Sequence, residues 1–117
     1  METTHANETL LKFLHRIAAH FKLENAETFT FRKRKGLLDK LKEADEAAWL
    51  AINTLIESQL RVDRILADKE KEQKNFSVWS AELEKAKTHR AEAGSHLAGF
   101  FKDHKVSMEG LTLEGFI

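Results

Sequence analysis

The stretch Asp68-Lys69-Glu70-Lys71-Glu72-Gln73-Lys74-Asn75 decides the fold. It is wholly polar, built from good helix formers, and lies between two long segments patterned as helices. Either those segments fuse into one rod of about 65 residues, roughly 100 Å long, which must dimerise along its length, or the polar stretch is the tip of an antiparallel hairpin. Side-chain size favours the hairpin. Folding the chain about Lys71 sets Ala44, Ala47, Ala48 and Ala51 against Ala91, Gly94 and Ala98. It also brings Leu66 near Phe76 and Leu41 near Phe101. Small faces small and large faces large, a match that packed helices need and a parallel rod does not.

On the N-terminal side of the tip (residues 69–75) the pattern predicts a helix from Leu37 to about Asp68. Leu41, Ala48, Leu55 and Val62 recur every seven residues, and Trp49, Ile56 and Leu60 widen the apolar arc to roughly 200°. Such a helix has to be covered on two sides. On the other side, Phe76, Trp79, Leu83, Ala86, Ala93, Leu97 and Phe100 predict a helix from Phe76 to Asp103. Further out, Leu10, Phe13, Leu14, Ile17 and Phe21 predict a first helix from about Glu8 to Lys22, with Asn7 as its N-cap. Residues 23–35 read as an extended linker. Thr28-Phe29-Thr30-Phe31 alternates like a strand, but one short strand has nothing to pair with, so Phe29 and Phe31 are expected to pin the linker to the core. The tail, residues 104–117, reads as a short helix from Ser107 or as an irregular segment. The expected fold is all-α: a single-domain three-helix bundle on a long, coiled-coil-like antiparallel hairpin.

Composition supports that class. There is no proline, and four of the five glycines follow residue 93, so the chain has few ways to reverse direction. Without cysteine it has no disulfide, thiol nucleophile or thiolate metal site. No apolar run approaches the ~20 residues of a membrane span, and Met1-Glu2-Thr3-Thr4 does not resemble a secretory leader. These features lead us to expect a cytoplasmic protein with no membrane partner.

The formal net charge is zero but unevenly spread. Residues 32–42 carry six basic side chains against one acidic, and residues 43–72 carry four against eight. Arg32-Lys33-Arg34-Lys35 just precedes a helix start, where free N–H groups and the dipole favour anions. The segment could grip a phosphate backbone, with Phe29 and Phe31 stacking on bases. A solvated basic loop is the plainer reading. Glu82, His89, His96 and Asp103 share a helix face, but at about 10.5 Å intervals along the axis no ion bridges them. Neither a metal site nor a cofactor is expected. Glycine-rich phosphate loops, G-x-S-x-G elbows and H-E-x-x-H pairs are all missing, so no catalytic residues are expected.

The apolar excess is the main functional clue. Trp49, Leu50, Ile56, Leu60 and Phe116 exceed what a three-helix core obviously needs, and they are the candidate interface to a protein partner or a second copy in a homodimer. Asp45, Gln59 and Arg90 interrupt the stripes, either fixing register or marking solvent. An aromatic near a hairpin turn resembles the small secreted hairpins of type VII secretion. Those carry Trp-x-Gly in the turn, whereas Trp79-Ser80-Ala81 lies inside a helix here, and no family is assigned. The leading expectation is a non-catalytic interaction module (an adaptor, chaperone-like factor or inhibitor) of the kind found among phage-encoded and secretion-associated proteins. A nucleic-acid-binding accessory protein using Arg32–Lys35 is the alternative.

Overall fold

The computed structural model describes residues 2–71, 76–113 and 116, with the side chains of helix residues 2–6, 68–71 and 76 left aside. The described residues are all-helical, with no strand. Helix α1 spans Glu2–His20, a single 3₁₀ turn spans Ala26–Thr28, and α2 (Arg34–Ala44), α3 (Glu46–Lys71) and α4 (Phe76–Asp103) follow. No described helix is long and apolar enough to cross a membrane. The expected tip and the Leu66–Phe76 contact fall largely outside the described residues.

The α1 stripe Leu10, Phe13, Leu14, Ile17 and Ala18 is wholly buried, as spacing of three and four residues along one face requires. Asn7 is not its N-cap. The helix begins at Glu2, because no proline or glycine breaks the chain ahead of Asn7. At the other end, the Leu23 N–H reaches the Ala18 carbonyl (3.0 Å) and the Lys22 N–H the Ala19 carbonyl (3.0 Å). Lys22 takes a left-handed backbone, φ 57°. This is a Schellman stop with lysine where glycine is usual, and the positive side chain suits the negative end of the helix dipole. Helix α4 stops the same way: Val106 N–H to Phe101 carbonyl (2.8 Å), Lys105 N–H to Lys102 carbonyl (3.2 Å), and Lys105 at φ 55°.

The second helix expected from Leu37 to Asp68 is two helices, broken at Asp45. That residue is extended (φ −158°, ψ 108°) while its N–H still bonds the Leu41 carbonyl at 2.8 Å. Its Oδ1 accepts from the Ala48 N–H at 3.2 Å, so one aspartate ends α2 and caps α3. The bend turns Leu37, Leu38 and Leu41 of α2 into the core. Ala44 and Ala47, which a straight helix would press against α4, are exposed at the bend, whereas Ala48, Ala51, Ala93 and Gly94 are buried. Asp45→Ala should lower stability by about 1 kcal/mol in urea denaturation, with Asp45→Asn nearly neutral. Equal losses for both would show that the side-chain cap contributes nothing.

Residues 23–35 hold the 3₁₀ turn and no strand, and Phe29 and Phe31 pack half-buried against the main core. α2 begins at Arg34, three residues ahead of the expected Leu37. The tail forms no further helix among its described residues. Ser107 Oγ accepts from the Glu109 N–H (3.2 Å) in a turn, and Val106, Leu113 and Phe116 are buried in the core. Arg16 holds the tail through the Ser107 carbonyl (2.8 Å) and the Glu109 carbonyl (3.0 Å).

Helix α3 packs most extensively against α4, then against α2 and α1. The core is in two parts. The larger joins α1, α2, the first half of α3, the last half of α4 and the tail, with Phe13 and Phe101 edge-to-face at 5.6 Å. The smaller, among the described residues, holds Val62, Ile65, Leu83 and Ala86, with Trp79 against it.

Candidate functional site

The expected apolar surface is only partly a surface. Ile56 is fully buried and Phe116 is 5% exposed, so neither can anchor a partner. Ile56 lies on the wide arc of α3, which α1 and α2 both cover, and Phe116 is folded in with the tail. Trp49 and Leu60 are half-buried against the main core, and Lys42 Nζ lies 4.6 Å over the Trp49 ring. Leu50, one residue on, is 53% exposed in the second turn of α3. Leu66 and Val78 are also exposed, flanking the smaller core.

The basic segment divides by residue. Arg32, Lys33 and Lys35 are exposed. Arg34 is half-buried: its guanidinium lies 4.2 Å over the Phe31 ring and its Nη1 donates to the Phe31 carbonyl at 2.8 Å. Lys40 Nζ sits 5.4 Å over Phe29, and Phe29 packs so closely on Gly36 that a Cβ there would lie 2.9 Å from its Cε1. The chain's own cations and backbone thus cover the rings that sequence offers to nucleic-acid bases. Three exposed cations remain around an α2 N-terminus with no acidic residue in its first turn.

The interruptions Gln59 and Arg90 meet across α3 and α4. Arg90 Nη1 donates to Gln59 Oε1 (3.0 Å), and Gln59 Nε2 donates to Asp63 Oδ1 (2.9 Å). Burial pushes the Arg90 guanidinium below its ordinary value, while nearby Asp63 pulls it back up. It stays charged at any ordinary pH, so this layer is an orienting network rather than a proton carrier. One residue before each of these, Ser58 Oγ lies 3.0 Å from His89 Nδ1. Ser58 is 1% exposed and gives its proton to the Thr54 carbonyl at 2.7 Å. The imidazole N–H is therefore the donor to Oγ, the reverse of what a serine nucleophile needs. The pair straps two helices together. Among the described residues no group of three or more His, Asp or Glu side chains could hold a metal ion.

Sequence reading missed two open grooves on α1. The larger, about 640 Å³, is walled by Lys12 and Arg16, the Lys22–Ala26 turn and Leu111 of the tail. His15 Nε2 lies 3.0 Å from the Phe29 carbonyl at its back. The smaller, about 520 Å³, runs between Leu11, Phe31 and Arg32. Lys12 and Arg16 are legible only as the polar side of a helix. The signal that could have found the larger groove was their basic character on the α1 face that meets the tail. No known protein family, curated protein or solved structure matches this chain.

Proposed function

We propose that the chain is a non-catalytic helical module of the cytoplasm that occupies the surface of another protein. The frame in this reading is an antiparallel hairpin of α3 and α4. Supporting it, Ser58 meets His89, Gln59 meets Arg90, and Val62 and Ile65 share a core with Leu83 and Ala86: residues later in α3 pair with residues earlier in α4 around a common centre. The observation that carries the functional reading is Leu50, a large aliphatic side chain more than half exposed beside half-buried Trp49, on a rigid helix start capped by Asp45. An aromatic and an aliphatic side chain presented together on a fixed element make the usual anchor of a protein interface.

Leu50→Glu tests this. The residue faces solvent, so helix content and thermal midpoint should match wild type, while the protein captured by wild-type chain in its native cells should be lost by at least about tenfold. Undiminished capture of the same partner by the variant would sink the assignment. The nucleic-acid reading has weaker support, since it rests on exposed Arg32, Lys33 and Lys35, and the half-buried Phe29 and Phe31 rings each already carry one of the chain's own cations.

A further inference from the structure

From the larger groove on α1 we infer a second docking site, independent of Leu50, for an acidic segment of a partner protein that also carries aliphatic side chains. The floor is aliphatic, made by Ala19, Leu23, Ala26 and Leu111. The rim is cationic, with exposed Lys12 and Lys22 on it and the Arg16 guanidinium behind. Only Glu27 opposes them in the lining. Arg16 bonds backbone carbonyls alone, which satisfy its donors without cancelling its charge. Among the described residues neither lysine is paired with a carboxylate. The groove therefore presents apolar surface lined by three cations against one carboxylate, the complement of a chain that alternates carboxylates with leucine-like side chains.

The walls are held in place. Lys22 is fixed in its left-handed Schellman position, which orients the Lys22–Ala26 turn, and the Arg16 bonds fix the tail that contributes Leu111. A binding surface of this kind needs no reordering of its backbone to accept a peptide. Two other occupants fit less well. No phenylalanine or tryptophan ring lines the groove, and its one imidazole, His15, is engaged with the Phe29 carbonyl, so it offers a nucleic-acid base little to stack on. The groove is open along its length, whereas a lipid tail needs an enclosed apolar cavity.

The probe is a short fluorescein-labelled peptide rich in glutamate and leucine, titrated at low and moderate salt. Comparison ligands are its Glu→Gln and Glu→Lys analogues and a single-stranded oligonucleotide of similar length. Binding should be salt-sensitive, about tenfold tighter for the acidic peptide than for the neutral one, and should shift the amide signals of Lys12, Lys22, Leu23, Ala26 and Leu111. Lys12→Glu with Lys22→Glu, both exposed, should leave the helical signal unchanged, lose the acidic peptide and gain the Glu→Lys analogue. The swap separates a lost contact from a damaged fold. Equal affinity for acidic and neutral peptides overturns the inference, as does signal movement confined to other parts of the molecule. So do preference for the oligonucleotide at these residues and absence of any shift at millimolar peptide. None of these outcomes bears on Leu50, which lies outside the groove.

Discussion

Phe101→Ala should lower stability by about 3–5 kcal/mol, the largest loss expected of any single truncation in the chain. The ring is fully buried and meets Phe13 edge-to-face at 5.6 Å and 69°, a pairing that adds to the area term. It joins α1 to α4, so the space it leaves lies between two helices that neighbours cannot easily close. Its backbone is engaged as well, because the Phe101 carbonyl takes the Val106 N–H that ends α4 and sends the tail back into the core. Phe101→Leu keeps most of the volume and should lose roughly half as much. Urea denaturation of both variants with unchanged slope is the check. A loss below about 1.5 kcal/mol for alanine would mean the site collapses freely and the aromatic pair does not organise the core.

Leu113→Ser with Phe116→Ser should lower stability by about 3–6 kcal/mol, an upper value because the unfolded chain already hides some apolar area. Both side chains are about 5% exposed although the segment holding them has no described helix. Serine at both positions places hydroxyls where the core offers no partner, which adds to the lost transfer energy. Arg16→Ala in the same assay should do much less. Its two bonds to the tail carbonyls are solvent-exposed, and water replaces them. If the double serine variant melts with wild type, the tail is an appendage rather than part of the core, and the Leu111 wall of the α1 groove loses its support.

Helical class was legible because the pattern repeats at 3.6 residues and Gly36 is the only glycine or proline in the first ninety residues. The bend at Asp45 was not. Asp45 stood out as a polar break in the stripe, but Leu41 and Ala48 keep heptad register across it, and periodicity measures register rather than direction. A straight helix offers nothing to fold back over the flank that carries Ile56, whereas α2, turned at Asp45, helps supply the second covering side that the wide arc requires. Phe116 escaped for a different reason. The tail has no period, and its place in the core depends on Leu113 and Phe116, while the exposed Arg16 bonds to its backbone carbonyls leave no mark on the residues they touch. Gln59 and Arg90 could be picked out as misfits, yet their meeting depends on the relative rotation of two helices. The α1 groove draws Lys12, Lys22 and Leu111 from three separated segments, so no local window contains it.

The division of the core in two has a consequence for how the molecule breathes. Among the described residues, Val62, Ile65, Leu83 and Ala86 form a buried cluster with Trp79 against it, while the other buried apolar side chains belong to the larger cluster. Protection of backbone amides against solvent exchange follows buried apolar contact, so the two ends of α3 should not open together. The end carrying the small core should therefore exchange faster than the end carrying the large one, and exposed Leu66 and Val78 lie on it. The Gln59–Asp63–Arg90 layer is a polar collar between them, the expected boundary between slowly and rapidly exchanging amides. On this expectation a change in the small core leaves the large one folded.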